Sequence, residues 1–93
     1  MTKPLFNLGQ IVATPGALSA LGGEGISSEA LLTRHVTGDW GELSEDDRRE
    51  NELSIKEGLR ILSAYKLPRT DVKLWIITEA DRSVTTILLP DEY

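Results

Sequence analysis

An α+β domain is predicted, an antiparallel sheet of three or four strands covered by two or three short helices in the order βαααβββ. Three observations carry this: helical spacing of apolar residues before Gly58, alternation after it, and turn-forming residues at 68–71 and 80–83. A chain of 93 residues with 40% apolar composition has material for one core, so residues 1–93 are read as a single domain.

The first strand is read from Leu8 to Ala13, where Ile11 and Val12 supply β-branched character. Thr14 then caps a short helix with Pro15 at its first position, and Gly22-Gly23 is expected to end it. Gly22-Gly23-Glu24-Gly25 is a connector, because Glu24 and Ile26 stand where a phosphate loop needs a lysine and a hydroxyl.

Ser27 caps a second helix, with Ile26 placed to staple onto Leu31. Leu31, Leu32, His35 and Val36 share its buried face, and Gly38 marks its end. A third helix starts at the Ser44 cap, carries Glu45, Asp46 and Asp47 in its first turn where the helix dipole favours negative charge, and stops at Gly58. Glu52 and Lys56 stand as an i,i+4 pair, while Asn51, Ser54, Ile55 and Gly58 form the opposite stripe. Only Leu53 and Ile55 are large and apolar here, so this helix should lie on the surface and pack through a narrow contact.

A β-meander fills the C-terminal third. Leu59, Ile61, Ser63, Tyr65 and Leu67 point one way and Arg60, Leu62, Ala64 and Lys66 the other. Strands at 72–79 and 84–89 follow, and apolar groups on both faces of the middle one make it central.

Three strings, Phe6 to Ala17, Arg34 to Gly41 and Ile77 to Pro90, carry a likeness to a known group. The chain resembles a family of small plasmid-related proteins of bacterial mobile elements. The resemblance spans nearly the whole chain and implies context without chemistry. Members sometimes carry the label of a type I restriction modification subunit. The methyltransferase that label implies needs a full cofactor domain and an Asn-Pro-Pro-aromatic tetrapeptide, and this sequence has neither.

Charge is unevenly placed. The formal net charge is −5, and from Asp39 to Glu57 eight acidic residues face three basic ones, a local net of −5, while the rest of the chain balances seven against seven. Any electrostatic preference for a partner therefore resides in this segment, and its sign argues against nucleic acid. Cysteine is absent, which excludes thiolate metal sites and fits a reducing, cytoplasmic setting. No signal-peptide pattern or membrane-spanning run is seen, and no metal or cofactor signature.

Two functional readings follow. In the preferred one, a non-enzymatic accessory protein binds a protein partner through Asp39, Trp40, Glu45, Asp46, Glu50 and Glu52, in an anti-defence role if the mobile-element resemblance holds. In the alternative, His35 as base, Arg82 as phosphate clamp and Thr86 as donor form the site of a small metal-independent ribonuclease. The turn tip Glu79, Asp81 and Arg82 gathers charge in either case, although such turns select these residues for local reasons. A homodimer would form through an outer strand of the meander.

Overall fold

Residues 3–93 are described by the computed structural model. Each helix begins where a hydroxyl can satisfy a free backbone donor. Thr14, Ser27 and Ser44 accept the N–H groups of Ala17, Ala30 and Asp47 at 3.1, 3.3 and 3.2 Å, and open α1 (Pro15–Glu24), α2 (Ser28–Val36) and α3 (Glu45–Glu57). Strand β1 (Gln10–Ala13) precedes the helices, and β2 (Ile61–Lys66), β3 (Lys73–Thr78) and β4 (Val84–Leu88) follow, before a single 3₁₀ turn at Pro90–Glu92. The order βαααβββ and the α+β class are those of the sequence reading.

The sheet is mixed rather than antiparallel. Its strand order is β1-β4-β3-β2, with β2–β3 and β3–β4 antiparallel but β1 parallel to β4. Alternation shows which residues share a face; it is silent on which strand lies beside which. The long excursion through three helices and two strands lets the chain return beside β1 in the same direction. Bonds from Gln10 N–H to the Ser83 carbonyl (2.9 Å) and from Thr14 N–H to the Ile87 carbonyl (3.0 Å) bracket that pairing.

Several boundaries also differ: β3 is a residue shorter at each end and β4 ends at Leu88, and two shifts nearer the N-terminus have a clear cause. Strand β1 starts at Gln10 rather than Leu8, because Gly9 has φ +65 and packs so closely on the backbone of Arg82 and Ser83 that a Cβ would overlap it. Helix α1 runs through Gly22 and Gly23 to Glu24, since the closing bonds are Gly25 N–H to the Gly22 carbonyl and Ile26 N–H to the Leu21 carbonyl, with Gly25 left-handed. The Glu24 carboxylate then accepts the backbone N–H groups of Arg69 and Thr70 at 2.7 and 3.2 Å, which fastens α1 to the β2–β3 turn.

Helices α1 and α2 cover one face of the sheet. Ala17, Leu21, Leu31 and Leu32 pack there with Tyr65, Leu67, Leu74, Ile76 and Ile87. On the other face Ile77 and Leu88 are buried, and Trp75 meets Tyr93 edge to face at 5.9 Å. The sheet is thus covered on both sides at β3, as its two-sided apolar pattern requires.

Helix α3 lies against the β2 edge, where its buried residues are polar. The Asn51 amide donates to the Leu62 carbonyl (2.6 Å) and accepts the Leu62 N–H (3.1 Å), so a side chain takes the place of a neighbouring strand. The 40–42 segment closes the next position, with Ala64 N–H on the Trp40 carbonyl and Glu42 N–H on the Ala64 carbonyl. These contacts correct the expected dimer edge. Among the meander's outer strands, β4 is covered by β1 and β2 is closed by Asn51 and the 40–42 segment.

Candidate functional site

The acidic helix displays most of its circumference. Asn51 and Ser54 are its buried residues and Ile55 is half-buried; the other ten residues of the thirteen are exposed. Three contacts hold it: the Asn51–Leu62 pair, the Arg48 guanidinium on the Gly41 carbonyl (2.6 Å), and Arg82, while the Ser54 hydroxyl bonds the Glu50 carbonyl within the helix. Polar anchoring of this kind leaves the apolar Leu53 outside, 46% exposed.

Beside Leu53 lies a groove of about 630 Å³, lined by Leu5, Gly38, Trp40, Leu53, Ile55 and the side chains of Arg49, Glu52 and Lys56. Leu5, 48% exposed, and the Cζ2 edge of the Trp40 indole both flank Gly38. Trp40, assigned to partner binding, is only 5% exposed, and its indole N–H has no hydrogen-bond partner among the described residues. An enclosed donor left unpaired is destabilising by roughly 1–3 kcal/mol relative to a bonded one. Past Leu53, a second depression is lined by Asp46, Asp47, Arg49 and Glu50.

The six residues assigned to partner binding divide. Asp39 is engaged within the chain: Arg34 grips it with Nε on Oδ2 at 2.7 Å and Nη2 on Oδ1 at 3.3 Å, and that guanidinium holds its carboxyl below the usual range. Arg34 also lies over the Tyr65 ring at 4.6 Å. Glu45 makes a loose contact with Arg49 at 3.9 Å. Asp46, Glu50 and Glu52 have no ion pair among the described residues, so the expected Glu52–Lys56 bridge is not formed. Trp40 and Glu52 meet at the groove.

His35, Arg82 and Thr86 do not share a cleft. His35 is fully buried, with Nδ1 against the Ser63 hydroxyl and Nε2 2.9 Å from the Thr78 hydroxyl. Thr78 continues to Thr85 at 2.8 Å, and Thr85 donates to the Leu8 carbonyl at 2.7 Å. The threonine joined to His35 is therefore Thr85 by way of Thr78; Thr86 projects from the opposite face of β4, in register with Ile77 and Val12. Burial drives the His35 pKa down to about 4, which keeps the ring neutral. Phe6 packs edge-on against His35 with ring centroids 5.2 Å apart, and Arg82 lies over the same Phe6 ring at 5.7 Å.

Arg82 spends its donors on carbonyls. Nη1 reaches those of Leu59 (2.6 Å), Glu79 (3.1 Å) and Ala80 (3.2 Å), and Nη2 that of Ser54 (2.9 Å). It thus ties the C-terminal end of α3 to the β3–β4 turn, where its own φ is +61. Neither carboxylate of the turn tip forms an ion pair with it. Glu79 sits 3.7 Å from Arg60, and Asp81 accepts the Ser83 N–H and hydroxyl at 3.0 and 2.6 Å, bonds that lower its pKa. The tip residues serve the turn and the helix end.

No family model matches the chain, and neither a curated protein nor a solved structure matches it at a significant level. No helix among the described residues is long and apolar enough to cross a membrane.

Sequence reasoning missed Leu5 and the groove role of Leu53. A signal was present for Leu53, a large apolar residue off the Asn51–Ser54–Ile55 stripe of a polar helix. For Leu5 there was none, because its place beside Trp40 depends on the Leu5 N–H bonding the Val36 carbonyl at 2.8 Å.

Proposed function

We propose that this chain is a protein-binding module that docks a basic segment of a partner, carrying one large apolar anchor, across α3 and into the Leu5–Trp40–Leu53 groove. The observation that carries the reading is the exposed, apolar Leu53 set between that groove and the acidic face. Leu53 supplies contact area for the anchor, Glu52 rims the groove, and Asp46 and Glu50 stand one turn along to attract positive charge. A carbonyl or hydroxyl of the partner, reaching the indole N–H as the groove adjusts, would satisfy the unpaired Trp40 donor.

The accessory role in a bacterial mobile element that the sequence resemblance implies belongs to this proposal and indicates where partners should be sought. The ribonuclease reading gains nothing from the geometry, since the neutral His35 is enclosed and Arg82 is committed to backbone carbonyls.

Selection from a displayed peptide library on the immobilised chain tests the proposal. Peptides enriched in Lys and Arg around a single Leu, Phe or Trp are expected with the wild type and lost with Leu53→Asp. Enrichment that the variant retains, or none at all, contradicts it.

A further inference from the structure

The two edges of the sheet are finished differently. At β2 the outward-facing groups of Leu62 and Ala64 are taken by Asn51 and the 40–42 segment. At β1 the groups of Gln10, Val12 and Thr14 turn toward β4, and those of Ile11 and Ala13 turn outward, with no partner among the described residues. Open edges are commonly protected by charge, by proline within the strand or by a covering segment. Strand β1 has none of the first two: from Leu5 to Gly23 the sequence carries no Asp, Glu, Lys or Arg.

The same stretch is apolar where it is exposed. Ile11 (49%) projects on the helix side, in register with Thr85, and Val12 (39%) on the opposite side, in register with Thr86. Leu18 on α1 is 56% exposed. Exposed branched side chains thus stand on both faces of a strand whose outer edge is open.

We infer that β1 pairs antiparallel with β1 of a second copy of this chain, making one continuous sheet across a two-fold axis at Val12. Ile11 then lies opposite Ala13 of the partner subunit, so the outward-facing groups of the two strands satisfy one another, and the two Val12 side chains meet on one face. A second copy is the occupant the charge pattern favours: the excess of −5 sits on α3 at the far edge of the sheet, and the two strands that meet carry no charged residue themselves, with Glu29 beside Ile11 and Glu92 on Thr14 at their flanks. Four residues a side make a short seam at the low end of interface sizes, so the dimer is weak and reversible. It presents two α3 helices at its outer ends, which gives avidity toward a repeated partner.

Sedimentation of the full chain, from micromolar to millimolar, is expected to rise from a 10.3 kDa monomer toward twice that mass. Ile11→Lys is expected to hold it monomeric with an unchanged circular dichroism spectrum. Should Ile11→Lys not fold, Val12→Cys gives a second reading: the natural chain has no cysteine, and mild oxidation should cross-link this variant while Glu57→Cys, on α3, stays monomeric. A wild type that is monomeric throughout overturns the inference. So does a dimer that survives Ile11→Lys, or equal cross-linking of the two cysteine variants. The α3 variants leave this dimer intact, so failure here and failure of the partner-docking proposal are separate results.

Discussion

The side-chain amide of Asn51 bonds both backbone groups of Leu62, so a helix residue completes the edge of the sheet. Asn51 is buried, and truncating it strands a donor and an acceptor together. Asn51→Ala should lower unfolding stability by about 2–6 kcal/mol, at roughly 1–3 kcal/mol for each of the two unsatisfied groups, measured by urea denaturation. Asn51→Asp should fail to rescue, because its carboxylate faces the Leu62 carbonyl without a donor. Ser54→Ala, which removes only a bond within the helix, should cost less than about 1 kcal/mol.

Arg82 holds the other end of the same helix. Its four carbonyl contacts join α3, Leu59 and the β3–β4 turn, and charged donors of this kind contribute about 1.5–3 kcal/mol each when well placed. Arg82→Ala should destabilise by at least about 2 kcal/mol on that scale, and Arg82→Lys should recover little, since an ammonium cannot span carbonyls on both elements. Relief of the left-handed φ in Arg82→Gly should not offset the lost bonds.

His35 makes stability depend on pH. Its pKa falls from 6.5 to about 4 on folding, so between those values the unfolded chain binds the extra proton and stability drops as pH falls. The loss is complete once pH passes below the folded value, and reaches about 3 kcal/mol at 1.36 kcal/mol per pKa unit. Urea midpoints from pH 7 to 4 should show this decline, and His35→Gln should flatten it. Asp39 and Asp81, whose pKa values are lowered by Arg34 and by Ser83, add their loss at lower pH, as they titrate below the usual carboxylate range.

Particular residues show how far the sequence reaches. Thr14, Ser27 and Ser44 announced all three helix starts, because a cap is a local bargain between a hydroxyl and a backbone three residues on. The alternation of Leu74, Ile76 and Thr78 with Trp75 and Ile77 placed β3 inside the sheet. What stayed hidden is non-local. Nothing near Gln10 says that Val84 will lie beside it, and nothing near His35 says that Thr78 and Ser63 will enclose its ring. The acidic segment was legible as charge, but Asp39 was lost from the displayed set to Arg34, five residues away.

Leu53 separates binding from folding. At 46% exposed it contributes little to the core, so Leu53→Asp should change stability by no more than about 0.5 kcal/mol, the usual range for surface substitutions. Reversing charge at Glu45, Asp46, Glu50 and Glu52 should likewise leave the fold standing, while weakening a basic partner and flattening the salt dependence of its binding.

The docking claim is tested most directly by Trp40 emission in a Trp75→Phe background, where Trp40 is the sole tryptophan, during titration with a selected basic peptide. Filling the groove should shift that emission saturably, and Leu53→Asp should weaken the affinity at least about thirtyfold, the 2 kcal/mol expected of a central contact. An unmoved Trp40 signal on a peptide that binds, or equal affinity for the variant, would contradict it.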